Sequence, residues 1–291
     1  MHKQNEILGH GLALLSIVIW GTTYVSTKVL LAYFSPVEIL FIRFVIAFVL
    51  LYLLYPKPIK VDRKDQWLFM GAGFSGITLY YLLENIALTY TSASNVGIII
   101  TVAPFFTSIL AVFFLKEKRP NLNYYIGFVA AMIGIGFISL PGAKVSLHPV
   151  GDLLAMLAAL AWAVYSICIR KLGQLSLHPI QMTRHIFMYG LVFMFPFLWF
   201  MDFDVQMQDF QSPLVLSNLA FLSVGASALC FVAWNHAVSM LGVIRSSVYI
   251  YLVPVVTLLS AAWILAEPLT PSLLFGACLT LVGLYLSQTN K

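Results

Sequence analysis

The feature that most constrains this chain is a succession of ten apolar runs, each about as long as a helix that crosses a lipid bilayer. A bilayer core needs about 20 mostly apolar residues in a helix. Prolines or Pro-Gly pairs stand at most of the joints between runs, where helices are expected to end. We therefore predict an all-α polytopic membrane protein with ten transmembrane helices. The runs cover residues 7–32, 36–55, 66–90, 93–115, 122–140, 149–171, 178–200, 213–240, 243–265 and 270–288.

Composition excludes the soluble alternatives. Hydrophobic residues make up 61% of the 291 residues and charged residues only 9%, whereas a globular domain has about 25% charged residues. This balance excludes a soluble enzyme, a nucleic-acid-binding protein and a disordered chain. The three cysteines lie inside apolar runs without C-x-x-C spacing, so they predict neither a disulfide nor a metal site. With no P-loop and no catalytic motif, we predict no enzyme activity, no cofactor and no direct use of ATP.

The distribution of Lys and Arg predicts the orientation. Short cytoplasmic loops carry the excess of positive charge in membrane proteins. With the N-terminus inside, only Lys28 and Lys144 fall on the outer side. We expect both termini in the cytoplasm and the protein in the cytoplasmic (inner) cell membrane. The basic residues expected on the cytoplasmic side are Lys3, Lys57, Lys60, Arg63, Lys64, Lys116, Lys118, Arg119, Arg170, Lys171, Arg245 and Lys291.

The two halves of the chain resemble each other at an offset of 141 to 150 residues. This predicts two five-helix repeats, residues 1–145 and 146–291. Because five is an odd number, the second repeat enters the membrane from the opposite side, an arrangement typical of secondary transporters. The matching positions include Trp20 with Trp162, Lys28 with Arg170, Arg43 with Arg184, Asn85 with Asn235, Pro104 with Pro254, and Glu117 with Glu267.

These positions carry a resemblance to a known family. The segments Ile19–Thr22, Pro36–Arg43, Ala87–Pro104 and Phe114–Glu117, with their second-half counterparts, resemble the EamA branch of the drug/metabolite transporter superfamily. The resemblance covers essentially the whole chain. It implies ten helices in two inverted repeats and export of small amphipathic metabolites such as amino acids by alternating access, with proton coupling as a further option. The alternatives are a multidrug exporter, or a nucleotide or lipid exporter (flippase) of the same fold.

Aromatic and small polar residues within the runs are candidates for the substrate site. Trp and Tyr with a few polar groups suit a ligand that has an apolar body; the alternative is packing or an interfacial belt. We expect the cavity to be lined by the first, third, fourth, sixth, eighth and ninth helices. The candidates of this kind are Trp20, Tyr24, Tyr80, Tyr81, Asn85, Thr101, Trp162, Ser166, Trp234, Asn235 and Tyr251.

Ionisable residues inside the runs form a second set of candidates, because charges in a membrane usually face a cavity or a partner. Arg43 and Glu84 lie at similar depth, so either they form a structural ion pair, or Arg43 binds a substrate carboxylate and Glu84 an ammonium group or a coupling proton. Arg184, with His185 beside it, is expected to pair with His236 near the inner side, where no acid is at hand, so this set suits an anionic group or titration of His236.

Prolines and glycines predict how the helices bend and pack. Pro104 and Pro254 lie near the centres of the fourth and ninth runs, where a proline interrupts the helix and favours a hinge. Glu117 and Glu267 follow the same two runs and are expected to be helix caps or anchors between helices. Small residues on runs five and ten predict close helix packing, with a dimer face as the alternative, so a monomer or a homodimer stays open. They are Gly127, Ala131, Gly134, Gly136, Gly276, Thr280 and Gly283.

Overall fold

The computed structural model describes residues 2–91, 93–139, 148–175, 177–201, 203–265 and 271–288. Within these ranges the chain forms ten helices and no strand, as the ten apolar runs predict. The helices are α1 (His2–Leu30), α2 (Pro36–Leu54), α3 (Arg63–Ala72, Gly73–Leu79 and Tyr80–Tyr90), α4 (Ala93–Ile100 and Ala103–Phe114), α5 (Leu122–Ser139), α6 (Pro149–Leu172), α7 (Pro179–Phe200), α8 (Pro213–Ala220, Phe221–Leu229 and Cys230–Leu241), α9 (Val243–Ser247, Val248–Leu252 and Val253–Leu265) and α10 (Pro271–Gln288).

Proline begins half of these helices, because its fixed φ suits the first helical turn and its missing N–H is not needed there. The start of α2 is reinforced by a capping box between Ser35 and Glu38. The Glu38 side chain also accepts a hydrogen bond of 2.8 Å from the backbone N–H of Asp204, in the connection between α7 and α8. Glu38 is therefore a buried carboxylate with a structural role.

Helices α4 and α9 are interrupted at corresponding places. In α4, Thr101 and Val102 form a turn between two helical segments, and Pro104 lies in the first turn of the second segment. In α9, a 3-10 segment, Val248–Leu252, precedes the α-helical segment that contains Pro254. The expected interruption of both helices near their prolines is confirmed, whereas the role of the two prolines as hinges stays a prediction.

The packing of the helices follows one pattern in both halves. Helix α1 packs against α8 and α9, and α6 packs against α3 and α4. Likewise, α2 packs against α8 and α7 against α3, while α2 meets α7 and α5 meets α10. Each contact has a counterpart in which both helix numbers are raised by five, with the count continuing from α10 to α1, so that α1 with α8 corresponds to α6 with α3. Corresponding cations add to this pattern, since Lys28 Nζ donates to the carbonyl of Leu88 at 2.6 Å and Arg170 Nη1 to that of Ser239 at 3.3 Å.

Helices α5 and α10 are held together by their small residues. A Cβ atom added to Gly283 would lie 2.5 Å from the backbone nitrogen of Ala131, and one added to Gly134 would lie 2.7 Å from the carbonyl oxygen of Gly276. Such contacts allow no larger side chain. The predicted close packing is confirmed and occurs within one chain. Gly136, in contrast, faces open space.

Four stretches of the described chain are long and apolar enough to cross a membrane as single helices. These are Glu6–Leu30, Pro36–Leu54, Pro149–Leu172 and Pro213–Leu241. Four shorter apolar stretches, of 10 to 17 residues, are Ala103–Phe114, Leu122–Phe137, Val243–Thr257 and Phe275–Ser287. That all ten helices cross the membrane stays a prediction.

Candidate functional site

A small cavity lies among helices α1, α3, α4, α6 and α9. Its volume is about 30 Å³, and a cavity needs about 10–15 Å³ of such space to hold one water molecule. The cavity therefore holds about two waters, and an amino acid would enter only after the surrounding helices move. Its lining residues are Ile17, Trp20, Thr23, Tyr24, Tyr80, Tyr81, Glu84, Ile100, Trp162, Ile250 and Val253.

Six of the candidate residues from the sequence meet at this cavity, and they come from both halves of the chain. Five of the six helices expected to line it do so, whereas α8 lies behind the wall. The six residues are Trp20, Tyr24, Tyr80, Tyr81, Glu84 and Trp162.

Aromatic rings form one wall of the cavity. The ring centroids of Trp20 and Trp162 are 5.3 Å apart in an edge-to-face arrangement. Trp234 packs behind them, with its centroid 5.3 Å from that of Trp20 and 6.0 Å from that of Trp162. Phe231 contacts the same cluster, 5.5 Å from Trp20. Phe231 was not predicted, because it is one of 22 phenylalanines in an apolar chain.

The three indole N–H groups differ in their partners. Trp20 Nε1 donates to the carbonyl of Ala226 at 2.8 Å. The Nε1 atoms of Trp162 and Trp234 are buried and have no hydrogen-bond partner among the described residues. A buried donor without a partner costs about 1–3 kcal/mol. Of these two residues, Trp162 lines the cavity and Trp234 does not.

Glu84 brings a carboxyl group to this aromatic cavity. Its side chain is 7% exposed, and its Oε1 accepts a hydrogen bond of 2.9 Å from the hydroxyl of Tyr80. The spacing of four residues on α3 brings these two side chains together, as expected from the sequence.

The alternative in which Glu84 forms an ion pair with Arg43 is wrong. Within the described ranges, the ion pairs join other residues, namely Lys64 with Asp62, Arg170 with Glu117, and Arg245 with Glu6.

Arg43 lies behind Tyr81 and is 1% exposed. Its Nε donates to Ser227 Oγ at 2.9 Å, and its guanidinium carbon lies 4.5 Å from the centre of the Tyr81 ring. Nη2 is buried without a hydrogen-bond partner in the described part of the chain. Tyr81 therefore contacts both the cavity, which it lines, and Arg43, which is not among the lining residues. Ser227 was not predicted from the sequence.

The candidate amides are held by the fold and do not line the cavity. Asn85 Nδ2 donates to the carbonyl of Pro36 at 3.1 Å. Asn235 accepts a hydrogen bond of 2.5 Å from the hydroxyl of Tyr165 and donates to Thr183 Oγ1 at 3.0 Å. The amides thereby link α3 to α2, and α8 to α6 and α7. Tyr165 is a further residue that the sequence analysis missed.

Three hydroxyl-bearing candidates also lie outside the cavity wall. Ser166 Oγ donates to the carbonyl of Trp162 at 2.9 Å. Thr101 Oγ1 lies 4.0 Å from Met132 Sδ. Tyr251 is fully buried against Phe128, with ring centroids 6.2 Å apart.

Arg184, His185 and His236 are not part of this cavity either. Arg184 donates from Nη2 to the carbonyl of Lys57 at 2.7 Å and from Nη1 to that of Tyr55. His185 Nε2 lies 3.1 Å from Gln66 Oε1, and His236 is half-buried on α8. Arg184 therefore fixes the chain that follows α2 instead of meeting His236.

Glu117 acts as the predicted anchor between helices. Its Oε1 lies 3.6 Å from Arg170 Nε, so the connection after α4 is joined to the end of α6. Glu267, its counterpart in the second half, lies outside the described residues.

The described residues form a bundle of ten helices with a cavity lined by both halves of the chain, an arrangement typical of helical membrane transporters. The model of the EamA-like transporter family matches residues 7–140 and 149–289. The chain belongs to this family, within the drug/metabolite transporter superfamily, and is a multi-pass membrane transporter. The prediction of a transporter and not an enzyme is confirmed, since its relatives are named as transporters.

Among the relatives, an "Uncharacterized transporter" of Archaeoglobus fulgidus is 27% identical over 273 residues, covering 94% of this chain and 95% of that protein. A "Probable amino-acid metabolite efflux pump" of Salmonella typhimurium is 28% identical over 291 residues, covering 95% and 93%. A "Probable terminal-alkyne amino-acid exporter" of Streptantibioticus cattleyicolor is 26% identical over 278 residues, covering 94% and 90%. One solved crystal structure, at 16% identity, shares the fold with a TM-score of 0.77 over 98% of this chain and 96% of that chain.

Proposed function

We propose that this protein is a secondary transporter that exports small amphipathic metabolites, amino acids and their relatives foremost, by alternating access. The observation that carries the proposal is a carboxyl group, Glu84, inside an aromatic cavity lined by both halves of the chain. Two relatives whose names refer to amino-acid export support this choice of substrate. ATP is not required for this mechanism.

The proposed architecture has ten membrane crossings in two inverted repeats, residues 1–145 and 146–291. Two facts support it: the family model matches the chain twice, and the helix contacts of one half recur in the other. We place both termini in the cytoplasm and the protein in the cytoplasmic membrane, because the Lys and Arg residues of the short loops concentrate on one side.

In the proposed binding mode, the substrate ammonium group meets Glu84 and its apolar part lies on Trp20 and Trp162. The carboxylate of the substrate accepts a hydrogen bond from the indole N–H of Trp162. The same carboxylate reaches Arg43 when the Tyr81 ring moves aside. These contacts need a larger cavity than the present one. The interruptions of α4 and α9 near Pro104 and Pro254 supply the hinges for that opening.

The first test is transport by the protein reconstituted in liposomes. We expect amino-acid flux driven by a pH gradient, and we expect Glu84→Gln to remove the dependence on pH because glutamine cannot carry the proton. Asp65→Asn, which changes a carboxylate on α3 outside the cavity, is the control and should keep the wild-type pH profile. If no amino acid or other amphipathic solute moves, the proposed substrate class is wrong; if Glu84→Gln keeps the pH dependence, the coupling role is wrong.

A second prediction compares two indoles of the same wall. Trp162→Phe keeps a ring but removes the N–H group, so we expect the KM for substrate to rise about five- to tenfold, the effect of one hydrogen bond. The unfolding temperature should stay the same or rise, since a buried donor without a partner is removed. Trp20→Phe breaks the bond to Ala226 and should instead lower stability by about 1 kcal/mol. An unchanged KM in Trp162→Phe would refute the role of its N–H.

A further inference from the structure

A second and larger cavity, of about 490 Å³, lies at the opposite end of the molecule from the α7–α8 connection. It is open to the surface and is bordered by the α4–α5 connection and by the ends of α6, α8, α9 and α10. Binding pockets for small molecules usually measure about 300–1,000 Å³, so this space suits a ligand of moderate size. The proposed transport function makes no use of it.

Four cations converge on this cavity from separate parts of the chain: Lys118, Arg119, Arg170 and Arg245. Two carboxylates offset part of the charge, Glu117 beside Arg170 and Glu6 beside Arg245, at 3.6 Å and 3.1 Å. Four cations minus two carboxylates leave a net charge of +2.

Lys118 and Arg119 supply the uncompensated charge. Both side chains are exposed, and neither forms an ion pair with a residue that the structure describes. The preference for positive charge in cytoplasmic loops explains the side of the membrane on which they lie. It does not require that cations from the α4–α5 connection, the end of α6 and the start of α9 border one cavity. The convergence therefore indicates an anionic ligand.

The remaining lining of the cavity is partly apolar, which suits an anion that carries an apolar group. Leu241, Ile244 and Tyr124 add apolar and aromatic side chains to the lining that holds the cations. The cavity also adjoins the start of α5, where the backbone N–H of Tyr124 donates to Asn121 Oδ1 at 3.1 Å. The start of a helix carries partial positive charge, which adds to the attraction for an anion.

The neighbouring helix surface identifies the source of the anion. Just beyond the cavity, α5 exposes Tyr125, Ile126 and Val129, and α10 exposes Tyr285. Exposed apolar side chains next to a basic cavity are expected where acyl chains lie alongside the helices and headgroups lie at their ends. Basic pockets between transmembrane helices on the cytoplasmic side bind anionic lipid headgroups in this way.

We propose that this cavity binds the phosphate group of an anionic phospholipid of the inner leaflet, held by Lys118 and Arg119 with Arg170 and Arg245 behind them. The proposal depends on the proposed orientation only for the choice of leaflet and does not depend on the transported substrate. Inorganic phosphate shares the same chemistry and is the soluble source to be distinguished from the lipid.

The test is native mass spectrometry of the full-length purified protein titrated with phosphatidylglycerol, phosphatidylcholine or inorganic phosphate. We expect phosphatidylglycerol to bind and phosphatidylcholine not to compete. Each cation near the surface contributes about a fivefold factor, so Lys118→Gln with Arg119→Gln should weaken binding about 30-fold. Lys60→Gln with Arg63→Gln removes the same charge outside the cavity and is the matched control.

A gain of binding provides a second, independent readout. Glu117→Gln removes a negative charge and frees Arg170, so phosphatidylglycerol should bind about fivefold more tightly. Displacement of the lipid by millimolar inorganic phosphate would assign the site to soluble phosphate and would overturn the proposal that the ligand is a phospholipid. Equal losses in the cavity variant and the control, or no change in Glu117→Gln, would overturn the site itself.

Discussion

Gly283→Ala is expected to lower the free energy of unfolding by about 2–3 kcal/mol, the upper part of the usual range for overpacking a helix interface. The new Cβ would lie 2.5 Å from the backbone nitrogen of Ala131 and 2.6 Å from the carbonyl oxygen of Gly127. Backbone atoms cannot turn aside as a side chain can, so α5 and α10 have to separate. In a membrane, where apolar lipid gives no hydrophobic drive for association, close packing of small residues holds such pairs together.

The control for this prediction lies on the same pair of helices. Gly136→Ala adds a methyl group where no atom lies within 4 Å, and alanine is the better helix former by roughly 0.5–1 kcal/mol. We therefore expect the two identical substitutions to shift the unfolding temperature in opposite directions. If both variants unfold at the same temperature as the wild type, the tight contact between α5 and α10 is wrong.

The helices were predictable because length and apolarity decide what can cross a bilayer, and prolines mark where each helix begins. Pro36, Pro149, Pro179 and Pro213 each open a helix within one residue of the predicted start. The π-helical segments Gly73–Leu79 and Phe221–Leu229 were not predicted. They depend on how neighbouring helices pack, which no local pattern in an apolar segment records.

The site was predictable only where a residue type is unusual for its surroundings. Glu84 and Arg43 are charges in apolar runs, and Trp20 and Trp162 are large aromatic residues at matching positions in the two halves. Phe231, Tyr165 and Ser227 carry no such signal, because their residue types are common within the helices of a membrane protein. Similarly, only the structure shows that Arg184 binds the carbonyls after α2, although it matches Arg43 in the sequence.

Arg43→Met is expected to abolish transport while leaving stability unchanged or higher by about 1–2 kcal/mol. The guanidinium is buried, and its Nη2 lacks a hydrogen-bond partner among the described residues. An incompletely paired buried charge costs several kcal/mol, of which the hydrogen bond to Ser227 and the contact with Tyr81 return part. Methionine fills similar space without that cost. Loss of flux without loss of stability would show that Arg43 is retained for the substrate carboxylate.

Arg184→Met is the matched control, because Arg184 occupies the corresponding position in the second half. Here the guanidinium is bound to the carbonyls of Tyr55 and Lys57, and charged hydrogen bonds contribute about 1.5–3 kcal/mol each. We expect this variant to lose about 2–4 kcal/mol of stability and to keep the substrate KM in the fraction that folds. Thermal unfolding and flux measured on the same preparations separate the two residues. If Arg43→Met is destabilised as strongly as Arg184→Met and transports with the wild-type KM, Arg43 is structural and the proposed carboxylate site is wrong.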